Sequence, residues 1–380
     1  MIPKRLARIA ALVVLLLGSC MGRTDHIQSG LISSGVQPTG FQRSDRVQPF
    51  IFPEDLGAHP DYQTEWWYYT GNLDTPEGGH FGFQLTFFRR ALLPAGQRDE
   101  RDSAFATEQI YFAHFAITDV NGSAFHAFER FARGAGGIAG AQAAPYQVWL
   151  ENWSVRENED GSLRLFASEE NVTLDLQLTD LKGPIPQGDQ GYSRKGPEAG
   201  DASYYYSQTR LKAEGIIHIG AVTYSVSGLS WKDHEYSTSA LSPGQIGWDW
   251  FSIQLDNHVE LMLFYLRKAD GSVDPYSSGM LIFADGSTQA LARDDFSIQA
   301  LDTWRSPHSG ADYPSRWRVS VPSADITLEI EPHLPDQELR VTFVYWEGAV
   351  QVRGTMVGEP VRGNGYVELT GYFASMEGEF

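Results

Sequence analysis

The chain has 380 residues, 42% hydrophobic and 20% charged, with 48 acidic against 29 basic side chains and a formal net charge of −19. That balance argues against nucleic acid as a partner and against electrostatic adhesion to anionic lipid. The one cysteine excludes an intramolecular disulfide, so the core alone must hold the fold, and the length suffices for two domains of ordinary size.

The chain begins "MIPKRLARIAALVVLLLGSC". Lys4, Arg5 and Arg8 precede an apolar run from Ile9 to Leu17 and then Gly18-Ser19-Cys20. This is the layout of a secretory signal. The run is too short to span a bilayer, which takes roughly twenty residues. Residues 1–19 are therefore predicted to be a lipoprotein signal peptide and Cys20 the lipidated thiol. That implies an exported protein on the periplasmic face of the envelope, anchored to membrane through the lipid. Met21 is not an inner-membrane retention signal, so the outer membrane is favoured. Residues 20–45 are polar, Gly/Ser-rich and aperiodic, and read as a flexible tether.

From there on the pattern is β. Residues 80–88 alternate Phe81, Phe83, Leu85, Phe87, and residues 172–181 alternate Val172, Leu174, Leu176, Leu178. Residues 258–266 alternate Val259, Leu261, Leu263, Tyr265, and residues 324–332 alternate Ile326, Leu328, Ile330. Asn-Gly or Asp-Gly turns at 121, 160, 270 and 285 punctuate these runs. A weak repeat relates "EWWYYTGNLDTPEGGHFGFQLTFFRR" (65–90) to "GWDWFSIQLDNHVELMLFYLRK" (247–268), each closing in an arginine, Arg89 or Arg267. The predicted fold class is all-β, two tandem lipocalin-like antiparallel barrels, at 46–236 and 237–377. A barrel of about eight strands holds one apolar ligand.

Several long motifs carry a family resemblance: "GAHPDYQTEWWYYTGNL" (57–73), "FGFQLTFFR" (81–89), "GDQGYSRKG" (188–196), "ASYYYSQTRL" (202–211), "WKDHEYSTSALSPGQIGWDWF" (231–251) and "ELTGY" (368–372). Together they resemble the AttH-like family, which is similar to bacterial carotenoid 1,2-hydratases and whose members are often labelled secreted hydrolases. The resemblance covers about residues 46–375 and implies two tandem lipocalin-like barrels. The hydratase branch adds water to an isoprenoid double bond. An acid protonates carbon, aromatic faces stabilise the cation, and a second group guides water. The hydratases' His-x-aromatic element matches His234 and Tyr236, with Tyr236 where tryptophan is commoner. Their later aspartate, near aromatic residues, matches Asp249 beside Trp248. Members of this kind are often encoded near ABC transporter permeases, which implies a transporter as partner.

The stretch "GLSWKDHEYSTSALSPGQIGWDWF" (228–251) thus has two readings. As a site, Asp249 is the proton donor and His234 the water-orienting base, with Glu235 completing an acidic–His–acidic triplet. Tyr236, Trp248, Trp250 and Trp231 are the walls. As structure, it is a domain-junction hinge with its tryptophans anchoring the second barrel. Glu65, ahead of Trp66, either forms a structural ion pair with Arg89 or acts as an acid, and with Trp66 it is counted among the substrate-binding residues. His114 and His126 lack further ligands at metal spacing, so no metal is predicted, and no cofactor. No Gly-x-Ser-x-Gly elbow supports a serine esterase. The Gly/Pro-rich segment 183–201 can lid a cleft between barrels, with Arg194 and Lys195 meeting an acidic wall. The sequence favours a lipid-anchored carrier of a hydrophobic isoprenoid or lipid beside an ABC transporter. A hydratase or hydrolase acting on such a molecule is the alternative.

Overall fold

The computed structural model describes residues 39–94, 97, 107–238 and 241–378. The predicted signal, Cys20 and the tether up to residue 38 lie outside them. Thirteen strands form the first sheet: β1 (Thr64–Asp74), β2 (His80–Ala91), β3 (Gln109–Asp119), β4 (Ala124–Arg133), β5 (Ala139–Gln142), β6 (Gln147–Leu150), β7 (Trp153–Glu157), β8 (Leu163–Glu169), β9 (Val172–Asp180), β10 (Ile185–Pro186), β11 (Tyr192–Arg194), β12 (Ala202–Ile219) and β13 (Val222–Ser237). Ten form the second: β14 (Gln245–Leu255), β15 (Glu260–Lys268), β16 (Ser278–Ile282), β17 (Thr288–Ala292), β18 (Ser297–Arg305), β19 (Asp312–Val321), β20 (Ile326–Pro332), β21 (Glu338–Arg340), β22 (Val344–Met356) and β23 (Glu359–Leu369). Among the described residues there is no α-helix, and the 3-10 turns Glu54–Leu56 and Pro322–Ala324 are three residues each.

The two sheets share one plan. In the first, β4-β3-β2-β1 continues through β13-β12 to β9 and the short strands beyond; in the second, β17-β16-β15-β14 continues through β23-β22 to β20, β19 and β18. Each sheet thus places its first strand between its second and its last, in antiparallel register. The sequence repeat 65–90 and 247–268 falls on the opening hairpin of each sheet. Both sheets curl around their own apolar interior. In the first, β6 comes back into contact with β2, β3 and β4. Its core holds Trp67, Phe83, Phe87, Phe115, Trp153 and Leu176. The second encloses Phe251, Leu263, Trp317, Leu328, Trp346 and Val367. The fold is therefore all-β, with two barrel-like sheets.

The turn signals act through one recurring device. In the Asp-Gly-Ser triplets at 160, 270 and 285 the aspartate accepts from the serine N–H two residues on, at 3.0, 2.9 and 2.9 Å. It also accepts from the serine hydroxyl, at 2.5, 2.6 and 2.6 Å. The intervening glycine takes φ of +80°, +81° or +83°, where a side chain is strained.

A third apolar cluster joins the sheets back to back, mixing Tyr68, Tyr205 and Trp231 of the first with Trp250, Met262, Phe264 and Tyr366 of the second. Polar pins flank it. The Asn72 amide donates to the Gly365 carbonyl at 2.9 Å, and the Gln254 amide to the Thr209 and Ser230 carbonyls at 2.7 and 3.0 Å. Glu260, fully buried, pairs with Lys182 at 2.6 Å and with Arg210. Residues 39–45, read as tether, are tied down where described. Phe41 and Ser44 are buried, and the Gln42 N–H donates to the Asp61 carbonyl at 2.9 Å. The sheets approach closely where Gly82 faces Ala349, and a methyl at 82 would overlap the Ala349 methyl. Gly82→Ala is expected to lower stability by about 1–3 kcal/mol, and Ala349→Gly in the same chain to recover most of it. Urea midpoints of the single and double variants check this; a double variant no more stable than Gly82→Ala rules the contact out as the constraint.

Candidate functional site

Strand parity divides the motif 231–236 between two environments. In β13, Lys232, His234 and Tyr236 turn into the first barrel, while Trp231, Asp233 and Glu235 turn toward the second sheet. In β1, paired to it, Glu65, Trp67 and Tyr69 go inward and Trp66 and Tyr68 outward; opposite neighbours include Trp67 with His234 and Trp66 with Glu235. β12 adds Tyr206 across from His234 and Tyr205 across from Glu235.

The inward set centres on Glu65, which has no accessible surface. Its Oε1 accepts from His59 Nδ1 at 2.7 Å and from His234 Nε2 at 2.8 Å. Its Oε2 accepts from Arg89 Nε at 2.7 Å and from the His59 backbone N–H at 2.9 Å. Arg89, beside it, holds the carboxyl well below the usual range against the penalty of burial. The histidines differ in charge. Burial pushes His234 down to about 4, so its ring is neutral and its Nδ1 accepts from the Tyr206 hydroxyl at 3.0 Å. His59 is raised to about 9, because Glu65 and Asp55 outweigh its burial, and it donates Nε2–H to Asp55 at 2.8 Å. Tyr236 stacks on His59 at 3.6 Å and Trp67 on His234 at 4.8 Å. Lys232 is fully buried among Tyr69, Tyr146 and Tyr206, and desolvation lowers it to about 7.

Among the described residues, His59, Glu65 and His234 form the group whose ligand atoms lie within 4.8 Å of one another, as metal binding needs. Four donors already saturate Glu65, and Asp55 and Tyr206 engage the outer ring nitrogens. Both Glu65 oxygens and both ring nitrogens of each histidine are thus engaged within the protein.

The outward set lines a cleft between the sheets, with walls of Trp66, Tyr68, Phe88, Trp248, Trp250 and Phe264. Its volume is about 80 Å³, several times the roughly 10–15 Å³ that one water needs. Asp233, Glu235 and Glu368 face it. Asp233 accepts from the Tyr205 and Ser207 hydroxyls, both at 2.5 Å, and from Trp231 Nε1 at 2.7 Å; desolvation still raises it to about 7. Glu235 pairs with Lys195 at 3.5 Å. Glu368 accepts from Trp248 Nε1 at 2.7 Å and is raised to about 7, by burial and by Asp233 and Glu235. Directly across the strand pair lies Glu347, whose carboxyl burial and Glu368 push well above its ordinary value; it accepts from Tyr68 at 2.9 Å. Of the 183–201 segment, Lys195 lines this cleft. The Lys195 ammonium lies 4.1 Å from the Phe264 ring, and Arg194 bonds the Tyr276 hydroxyl at 3.3 Å.

The residues singled out in sequence fall into three places. His234, Tyr236 and Glu65 meet inside the first barrel. Glu235, Trp66, Trp248 and Trp250 line the cleft, with Trp231 packed behind them against Trp250 at 6.2 Å. Glu65 pairs with Arg89 and has no surface toward the cleft. Asp249 belongs to neither set, which corrects the expectation that it meets His234. It lies across β14 from Trp248 and Trp250, faces the second barrel, and bonds Arg267 at 2.8 Å and the Tyr372 hydroxyl at 3.0 Å. Sequence reasoning missed Glu347, and it missed Glu368 although it quoted "ELTGY".

The network carries its own pH signature. A histidine whose folded pKa is raised from 6.5 to about 9 contributes stability that is whole below 6.5 and lost as pH climbs through about 9. His59→Gln is expected to unfold at lower urea than the unsubstituted protein near neutrality, with the gap narrowing as pH passes about 9. A gap that does not change with pH denies His59 its charge.

The AttH-like family profile matches residues 43–372. The crystal structure of an AttH protein of Nitrosomonas europaea is 38% identical, covering 87% of this chain and 100% of that one, with a TM-score of 0.77. The crystal structure of kievitone hydratase from Nectria haematococca, 15% identical over 88% of this chain and 99% of that one, has a TM-score of 0.64 and shows the shared fold. In sequence, the kievitone hydratase of Fusarium solani subsp. phaseoli is 23% identical over 220 residues, 54% of this chain and 59% of that protein. The match thus spans 59% of that relative's length, and the chain is related to hydratases.

Proposed function

The chain belongs to the AttH-like family, and from that premise we propose that its inter-sheet cleft adds water to, or removes it from, a carbon–carbon double bond of a hydrophobic substrate by acid catalysis. One observation carries this reading: Glu368, held by Trp248 and facing Glu347 across the strand pair, presents its carboxyl to an aromatic cleft. Protonating an alkene carbon takes an acid that is still protonated near neutral pH, and burial beside other carboxyls provides one. The cation that results needs electron-rich faces and little competing water, and Trp66, Tyr68, Trp248 and Trp250 supply the faces. Glu368 is the proton donor, burial and the neighbouring Asp233 and Glu235 disfavour its ionisation, and Glu347 faces it across the strand pair. The similarity to a kievitone hydratase supports the reaction class. The similarity to hydratases supports this reading over the carrier role favoured from sequence alone.

The test is turnover of hydrophobic alkenes and tertiary alcohols, kievitone included, in heavy-oxygen water and in deuterium oxide. The expected product carries the labelled oxygen as hydroxyl and one deuterium on the adjacent carbon. Glu368→Gln is expected to lower kcat by about 10²–10⁴-fold with ligand binding retained. The acid works protonated, so the rate should fall as pH rises through about 7. Full activity in Glu368→Gln, or a rate that climbs through that pH, defeats the assignment.

Export and lipid attachment belong to the same proposal, supported by Leu17-Gly18-Ser19-Cys20. Cys20→Ser is expected to shift the protein from the membrane to the soluble fraction or to leave the precursor uncut; a mature-sized, membrane-bound variant excludes Cys20 as the anchor.

A further inference from the structure

We propose that Tyr345, backed by His114 and Glu129, is the group that takes a proton from water in the cleft, an inference that rests on the acid-catalysed reading above. Addition of water needs two proton transfers. The acid gives one to carbon, and the water that captures the cation must lose another. His114 of β3 and Tyr345 of β22 both line the cleft and are both buried. His114 Nδ1 lies 2.6 Å from the Tyr345 hydroxyl, and His114 Nε2 lies 3.0 Å from Glu129 Oε1 on β4. Glu129 is fixed in turn by Thr342, just ahead of β22, whose N–H and hydroxyl reach its Oε2 at 3.2 and 2.7 Å. The line of three residues therefore bridges the two sheets and ends at the cleft.

The proton positions follow from the chemistry of the groups. A carboxylate only accepts, so His114 carries its hydrogen on Nε2. Nδ1 is then the acceptor, and the Tyr345 hydroxyl donates to it. The phenol's lone pairs remain available for a water. Of the other tyrosines lining the cleft, Tyr205 is used up in donating to Asp233 and accepting from Trp250 at 3.2 Å, and Tyr68 donates to Glu347 at 2.9 Å. Phenolate is strongly disfavoured at Tyr345, which faces Glu347, Glu368, Glu129 and Tyr366 and is raised well above its ordinary value by burial and those neighbours. The step avoids phenolate. As water's oxygen bonds to the cationic carbon, its O–H proton passes to the Tyr345 oxygen while the Tyr345 proton passes to His114 Nδ1. The imidazolium is stabilised by Glu129. Glu368 has lost one proton and His114 gained one, so the alkene and water become the alcohol with no net charge change. The partly exposed Glu129 edge connects the pair to solvent. Dehydration runs the same steps backward. Tyr345 is the catalytic residue here, and His114 and Glu129 are positioning residues that act through it.

The experiment compares Tyr345→Phe, His114→Gly and Glu368→Gln with the unsubstituted protein, using the same alkene and alcohol panel. Tryptophan fluorescence quenching gives ligand binding, and urea midpoints report folding. Tyr345→Phe removes one oxygen and is expected to lower kcat by about 10²-fold with binding within about threefold. Free imidazole should restore turnover to His114→Gly but not to Tyr345→Phe, which a packing defect would not do. Tyr345→Phe at full kcat while Glu368→Gln is inactive overturns the relay and leaves the acid standing. Tyr345→Phe inactive while Glu368→Gln is fully active supports the relay and removes the acid. Absence of turnover of any member by the unsubstituted protein overturns both.

Discussion

A strand buried on both faces must send successive side chains into two interiors, and the β1–β13 pair is such a place. Trp67, Glu65 and His234 enter the first barrel, while their chain neighbours Trp66, Asp233 and Glu235 enter the space between the sheets. Two environments thus sit one backbone apart and treat charge differently. Inside the barrel Glu65 has its counter-charges beside it, so it stays ionised between Arg89 and His59. That resembles other buried ion networks, whose attraction repays desolvation only when hydrogen bonding is complete. In the cleft, Asp233 is met by neutral donors, and its cheaper state is the protonated one. The chemistry differs because the pairing differs, although the residues are contiguous in sequence.

The repeat extends to chemistry as well as strand order. Arg89 and Arg267 each pair with a carboxylate from the first strand of their own sheet, Glu65 and Asp249. Asn72 and Gln254 stand at matching positions of those strands, and each bonds backbone carbonyls of the other sheet. A rough two-fold relation therefore runs through the junction, and the departures from it mark the site. Asp233, Glu347 and Glu368 sit beside the aromatic and aliphatic packing there.

The architecture was legible because alternation is local. Phe81 to Phe87 and Ile326 to Ile330 name their own buried face, and the Asp-Gly-Ser triplets name their own turns. The family motifs carried the same message. The site was legible only in part. Alternation tells which residues share a face but not what covers it. Glu368 in "YVELTGY" reads as a solvent-facing residue beside inward Val367 and Leu369, until a second sheet closes over it. The run Asp233-His234-Glu235 reads as a cluster because its members adjoin, though a strand separates them; the same parity argument applied to Trp248-Asp249-Trp250 does place Asp249 away from its neighbours. His59 joins Glu65 and His234 through a loop preceding β1, and His114 meets Tyr345 from a strand more than half the chain away. Neither approach leaves a spacing in the sequence.

The acids of the cleft are not acids of either sheet. Asp233 and Glu235 come from the first, Glu347 and Glu368 from the second, and each lies on the outer surface of its own barrel. A solitary barrel would hold these side chains in water, as ordinary carboxylates on an already acidic exterior, with nothing to give a substrate. Doubling the barrel and turning the copies back to back dries those surfaces. Reactivity here is a property of the seam, created when two inert exteriors shut each other off from solvent.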